Sequence, residues 1–225
     1  NLLKIALRAL TNNKLRAFLT MLGIIIGVAS VITMLAIGQG SKRSIQAQIS
    51  EMGSNMIMIH PGGEMRGGVR QDPSEMQTLK LENYQTLSEE CTYLSAISPQ
   101  VSSSGQLIHG ANNYPSSVSG VSIDYLKIRQ LTVEQGDMFT EADIKTSAKV
   151  CVIGKTIVDN LFPDGESPIG KIIRFNKIPF RVVGVLKSKG YNSMGMDQDD
   201  IVLAPYTTVM KRLLAVTYLE GIFAS

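Results

Sequence analysis

The chain has 225 residues, 44% hydrophobic and 18% charged, with a formal net charge of +3. That length holds one large domain or two small ones with ample core. The composition excludes a disordered chain, a collagen and a disulfide-dense mini-protein, and a mean hydropathy of +0.10 argues against a polytopic membrane protein. The total charge averages two environments. Residues 1–50 hold six Lys/Arg (Lys4, Arg8, Lys14, Arg16, Lys42, Arg43) and no acid, the first carboxylate being Glu51. The remainder holds sixteen basic and nineteen acidic residues, so a basic arm precedes a mildly acidic body.

In chain order, residues 1–16 are basic and apolar at helical spacing. Leu3, Leu7 and Leu10 share one side, with Lys4 and Arg8 beside them. This predicts a cytoplasmic amphipathic helix on the inner leaflet, and Asn12-Asn13 predicts a bend. Residues 17–37 follow without a charge, Asn, Gln, His or Pro. At 1.5 Å per residue such a run reaches about 30 Å, the hydrocarbon thickness of a bilayer. A secretory signal would have a shorter apolar stretch and a small-residue cleavage site. A soluble core helix seldom runs so long uncharged. Four cations before the run and two after it place the N-terminus in the cytoplasm and the rest outside. Gly23 and Gly27 form a G-x-x-x-G pair that predicts close packing on another helix. Residues 38–53 keep the helical spacing, with Ile37, Ser41, Ile45, Ile49 and Met52 in register and Gly53 as a stop. They predict a stalk that Gly38 and Gly40 weaken near the interface.

From residue 54 the period changes to two. Residues 55–63 predict a strand and turn, 64–75 a Gly/Arg-rich loop, and 79–90 a short helix with Leu79, Tyr84 and Leu87 facing inward. Short strands are expected near 93–98, 105–108 and 116–121, joined by turns. Asp124 is placed as the cap of a short helix over 124–129. Strand 149–154 precedes helix 155–162. Segments 171–175 and 178–186 read as a hairpin around Asn176-Lys177, 201–205 as a strand, 206–214 as a helix, and the last residues as a strand. The fold class is therefore α+β: one long transmembrane and stalk helix followed by a mixed α+β extracytoplasmic domain.

Few residues carry chemistry. Gly154-Lys155-Thr156 lies between a strand and a helix, but a phosphate-binding loop needs a glycine where Lys149 stands. His60 and His109 lack ligand partners at short spacing, so neither predicts zinc. Cys91 and Cys151 would face an oxidising compartment, which leaves a disulfide open. Each also suits an apolar core position, and free buried thiols are expected. Asp197-Gln198-Asp199-Asp200 is the densest acidic run. Without the glycine and distal Glu of a calcium loop, it reads as a solvated turn, and Met194 and Met196 beside it suggest a soft contact surface. No catalytic residue, metal site, cofactor site or nucleic-acid footprint is predicted.

Several segments resemble MacB-type ABC transporter permeases, the MacB/FtsX superfamily. They are residues 13–42, GSNMIMIHPGG (53–63), SGVSIDYLKIR (119–129), 136–144, VIGKTIVDNLF (152–162), PIGKIIRF (168–175), FRVVGVLKSKG (180–190) and 194–208. They cover most of the chain in the family's order. The resemblance implies residues 1–16 as a cytoplasmic helix, 17–37 as the first transmembrane helix, 38–53 as a stalk and 54–225 as an incomplete periplasmic core domain. It further implies a homodimer in the bacterial inner membrane, ATP and Mg at a fused or separate ATPase domain, and a periplasmic adaptor with an outer-membrane channel. ATP-driven closure would then move the outer domain to export substrate. This sequence departs from the family in having one membrane helix instead of four and no ATPase motif, so it is expected to be a permease fragment and no enzyme by itself. Asp197, Gln198, Asp199 and Asp200 are the expected outer contact with a partner. The alternative is a single-pass anchored binding module without ATPase coupling.

Overall fold

Lys14–Glu51 form one unbroken helix, α1, of 38 residues, about 57 Å long. The computed structural model describes residues 14–51, 55–62, 77–192 and 195–225. The amphipathic start before Lys14, Gly53, the Gly/Arg-rich loop and Met194 lie outside these. Nothing in α1 forces a break: it has no proline, and the three hydroxyls of its apolar run are satisfied along its own backbone. Thr20, Ser30 and Thr33 donate to the carbonyls of Arg16, Ile26 and Ala29, four residues back, at 2.7–2.9 Å. This pattern hides polar groups in an apolar run. Helical structure continues through Gly38 and Gly40.

The second compact unit is Ile49–Ser225. Its elements are β1 (Ile57–Ile59), α2 (Leu81–Glu90), β2 (Ile97–His109), β3 (Asn112–Val121), α3 (Tyr125–Ile128), β4 (Val133–Gly136), α4 (Glu141–Thr146), β5 (Val150–Ile153), α5 (Lys155–Leu161), β6 (Ile172–Phe175), β7 (Ile178–Leu186), β8 (Val202–Pro205), α6 (Tyr206–Thr208) and β9 (Gly221–Ala224). A π-helical turn, Val209–Leu214, continues α6.

Six strands close on themselves in the order β2-β3-β8-β5-β7-β6 and back to β2. The β3–β8 and β5–β7 pairs are parallel and the other four antiparallel. β4 pairs outside the ring with β7. The first residues of β2 pair instead with β9, which carries β1 on its far side.

Period-two alternation sorts the strands into two cores. In β5, Cys151 and Ile153 enter one cluster while Val150 and Val152 enter the other. In β8, Val202 and Ala204 part from Leu203 in the same way. The first cluster draws on all six ring strands, including Leu107, Val118, Phe175 and Phe180, and so fills the barrel. The second lies against α3 and α4 through Tyr125, Ile128 and Ile144. Leu79, Tyr84 and Leu87 pack on the first cluster, as their spacing predicts.

Some local expectations change. The three short strands between 93 and 121 are two long ones, β2 and β3, paired from Val101↔Gly120 to His109↔Asn112. The Ser, Gly and Pro residues that suggest turns lie within paired strands, where neighbours on both sides satisfy the backbone. The real turn is at Gly110, with φ +57°. Asp124 precedes α3 but makes no cap bond; its Oδ2 accepts from the Ile97 amide at 3.4 Å. β4 and α4 are additional elements. The cysteines are free, but only Cys151 is buried, and burial pushes its thiol well up. Cys91 ends α2 and is exposed, because the apolar face of that helix is set by Tyr84 and Leu87.

Candidate functional site

Two features predicted from sequence have a defined geometry. The first is the surface of α1. The stretch Lys14–Gln46 is long and apolar enough to cross a membrane, and none of its most apolar window is buried within the chain. Phe18, Ile24, Ile25, Val28, Ile32, Leu35 and Ile37 are all more than half exposed, which for an apolar helix means that lipid or another helix is its natural surrounding. Gly23 and Gly27 lie one turn apart on one face. A Cβ at either would meet nothing within 4 Å, and the same holds at Gly38 and Gly40. Contacts within the described residues therefore do not require glycine at these positions.

The second feature is the acidic run, and the structure corrects its reading as a solvated turn. Asp199 is 7% exposed. Its carboxylate accepts from the Ser188 hydroxyl and from the amides of Lys189 and Gly190 at 2.8 and 2.9 Å. Asp197 accepts from Thr156 Oγ1 at 2.6 Å and from the Asp199 amide at 2.8 Å. Asp200 accepts from Ser116 Oγ at 2.7 Å. The three carboxylates thus tie together the start of α5, the segment after β7 and strand β3. A side chain needs partners once it is buried, and the fold supplies hydroxyls and amides from segments far apart in sequence.

Gly154 belongs to the same assembly. It stands at the N-cap of α5, donates its amide to the Ile201 carbonyl at 2.8 Å, and leaves no room for a Cβ against the Asp199 carbonyl. That backbone approach accounts for the glycine that resembles a phosphate loop. Beyond this brace, Tyr191 is 74% exposed and Met196 58% exposed. The chain on either side is joined by the Gln198 amide on the Gly190 carbonyl at 3.1 Å and the Asn192 amide on the Met196 carbonyl at 2.9 Å.

Sequence spacing does not bring His109 together with Glu166, 57 residues on. His109 Nε2 lies 3.1 Å from Glu166 Oε1, and Lys171 Nζ lies 2.8 Å from Glu166 Oε2. Lys171 first and His109 second hold the Glu166 carboxyl below the usual carboxylate range. No spacing signal joins these residues, because a strand hairpin and a loop meet only when the ring closes.

The fold is that of extracytoplasmic domains of transporters. It superposes on the periplasmic region of MacB from Actinobacillus actinomycetemcomitans with a TM-score of 0.66 and 29% identity, covering 79% of this chain and 77% of that one. It also shares its fold with the extracellular domain of the noncanonic ABC-type transporter YknZ from Gram-positive bacteria, with a TM-score of 0.60 and 17% identity over 76% of this chain and 83% of that one. The chain belongs to the family of the MacB-like periplasmic core domain, whose model matches residues 17–223. The macrolide export ATP-binding/permease protein MacB of Syntrophobacter fumaroxidans is 43% identical over 209 residues, covering 92% of this chain and 29% of that protein. The chain spans about a third of the length of the curated relatives it matches.

Proposed function

We propose that this chain is part of a permease subunit of a MacB-like ABC transporter, in which α1 carries ATP-driven motion outward to the barrel domain for export of a substrate. The carrying observation is the unbroken helix. It crosses the whole uncharged run from Ala17 to Ile37 and continues to Glu51, about 20 Å further. A continuous helix resists bending and so transmits displacement along its axis. Residues 17–37 are the membrane span, 38–53 the stalk with Gly38 and Gly40 as its points of flexibility, and 54–225 the outer domain. The cations flanking the span orient it with its N-terminus in the cytoplasm of a bacterial inner membrane.

The chemistry of ATP and Mg belongs to an ATPase domain or subunit, in keeping with the names of the relatives, which are ATP-binding/permease proteins. Gly23 and Gly27 are the packing face for a second copy or a neighbouring membrane helix. The contact with an adaptor or the second subunit is the segment Asp197, Gln198, Asp199 and Asp200, with the exposed Tyr191 and Met196 beside it. Replacing Gly23 and Gly27 together by Leu in the full-length protein tests this reading. Dimer recovery and stimulated ATPase rate are expected to fall severalfold while the outer domain keeps its unfolding temperature. Unchanged assembly and stimulation would refute it.

A further inference from the structure

The path of hydrogen-bonded strands has two ends, β4 and β1. A strand at such an end presents a row of backbone donors and acceptors to whatever meets it, and folded domains blunt it with charge, proline or a bulge. β4 is blunted in this way: it carries Glu134, and its register against β7 shifts between Val133 and Gln135. β1 is not. It pairs without interruption with β9, Ile57↔Ala224, Met58↔Phe223 and Ile59↔Ile222, and among the described residues no strand pairs with its other edge. From Asn55 to Pro61 the sequence holds no Asp, Glu, Lys or Arg.

Both faces of this edge are apolar and half covered. Alternation puts Ile57 and Ile59 on one face and Met58 on the other. Ile59 packs on the first hydrophobic cluster, whereas Ile57 is 56% and Met58 42% exposed. A second copy of the same strand is the occupant that suits them. About a two-fold axis an edge meets itself, and in antiparallel register. Centred on Met58, that pairing sets Met58 against its own counterpart and Ile57 of each copy against Ile59 of the other, on one face. Pro61 has no N–H to extend the ladder. No like charges meet, and the exposed apolar side chains gain cross-strand neighbours.

The chain also supplies proximity. Ile57 is six residues beyond Glu51, the end of α1, at most about 20 Å of extended chain. Two copies joined through α1 therefore hold their β1 edges on short tethers. A contact of a few residues per copy is well under the roughly 1,000 Å² of a stable interface, so it forms between copies already joined, where tethering gives an effective concentration of about millimolar.

We propose that β1 is a strand-pairing edge for a second copy of this chain, joining the outer domains of two copies into one continuous sheet. The inference rests on the homodimer proposed for α1.

Disulfide trapping in the full-length protein in detergent tests it, in a Cys91→Ser background because that thiol is exposed. Under mild oxidation Met58→Cys should give a covalent dimer at least about fivefold faster than Ile172→Cys, which is 55% exposed on β6. A second measurement uses Met58→Lys, which a lone copy tolerates at an exposed position but which sets two like charges opposite each other across the pair. Amide exchange over residues 55–61 should then speed up about two- to fivefold while that over β9 stays unchanged. Equal trapping at Met58 and Ile172 in a protein that light scattering shows to be dimeric, or unchanged exchange in Met58→Lys, would overturn the strand pairing and leave the α1 dimer standing. A monomeric protein would overturn both.

Discussion

A carboxylate that is 7% exposed and takes one hydroxyl and two amide hydrogen bonds holds its surroundings in place rather than facing solvent. Asp199→Ala would leave the amides of Lys189 and Gly190 without their acceptor inside the protein. Each orphaned donor costs about 1–3 kcal/mol, so the variant should lose about 2–4 kcal/mol of stability in urea titration of the outer domain. A loss near zero would show that water replaces the carboxylate there. Sequence alone makes this residue one acid among three in four positions. Its burial depends on Ser188, Lys189 and Gly190 reaching it from the segment after β7, and on the Gly154 backbone lying against its carbonyl. Met196 is different: a soft contact surface is legible from residue type, and its side chain is exposed.

At the scale of elements, the helix α4 shows a signal present in sequence but outweighed by its neighbours. Thr140 accepts from the Asp143 amide at 3.3 Å, and the Asp143 carboxylate accepts from the Thr140 amide at 2.8 Å. This is a capping box of the T-x-x-D kind, and its spacing could have marked the helix start. The hydrogen bonds from Thr140 hold the Asp143 carboxyl below its usual range. A carboxyl depressed in the folded state contributes stability above its unfolded pKa and loses it as pH falls. The start of α4 should therefore fray in acid, below about pH 4, as read by amide exchange over residues 140–147. Thr140→Ala should cost about 1 kcal/mol and remove that acid dependence. Elements with strong local signals were legible from their residues. β5, α5 and the β6–β7 hairpin fall within a residue or two of expectation, the last with Asn176 and Lys177 both at positive φ, as an Asn-led tight turn requires. β2 and β3 were not, since polar residues inside a long paired hairpin look like turns until their cross-strand partners are known.

For the whole molecule, two compact units divide near residue 48, and each buries what its composition suggests. The outer unit has its own two hydrophobic clusters, whereas α1 exposes apolar side chains along its length. A chain starting at residue 49 should therefore remain soluble and unfold at the temperature the outer domain shows in the full chain, by circular dichroism. A drop of more than about 3 °C, roughly 1 kcal/mol for a domain of this size, would mean that α1 contributes to its stability. The charge split met at the outset, a basic arm of 50 residues before a mildly acidic body, coincides with this division. Sequence by itself determined the long apolar helix, the α+β class and the family, because hydropathy runs, period-two strands and ordered motifs are local properties of the chain. Closure of the six-stranded ring, burial of Asp199 and the meeting of His109 with Glu166 were decided only by tertiary structure. Each depends on segments outside one another's local sequence, nine to eleven residues away for the Asp199 carboxylate and 57 for His109 and Glu166, satisfying one another's backbone and charge, and no local pattern encodes which segments will do so.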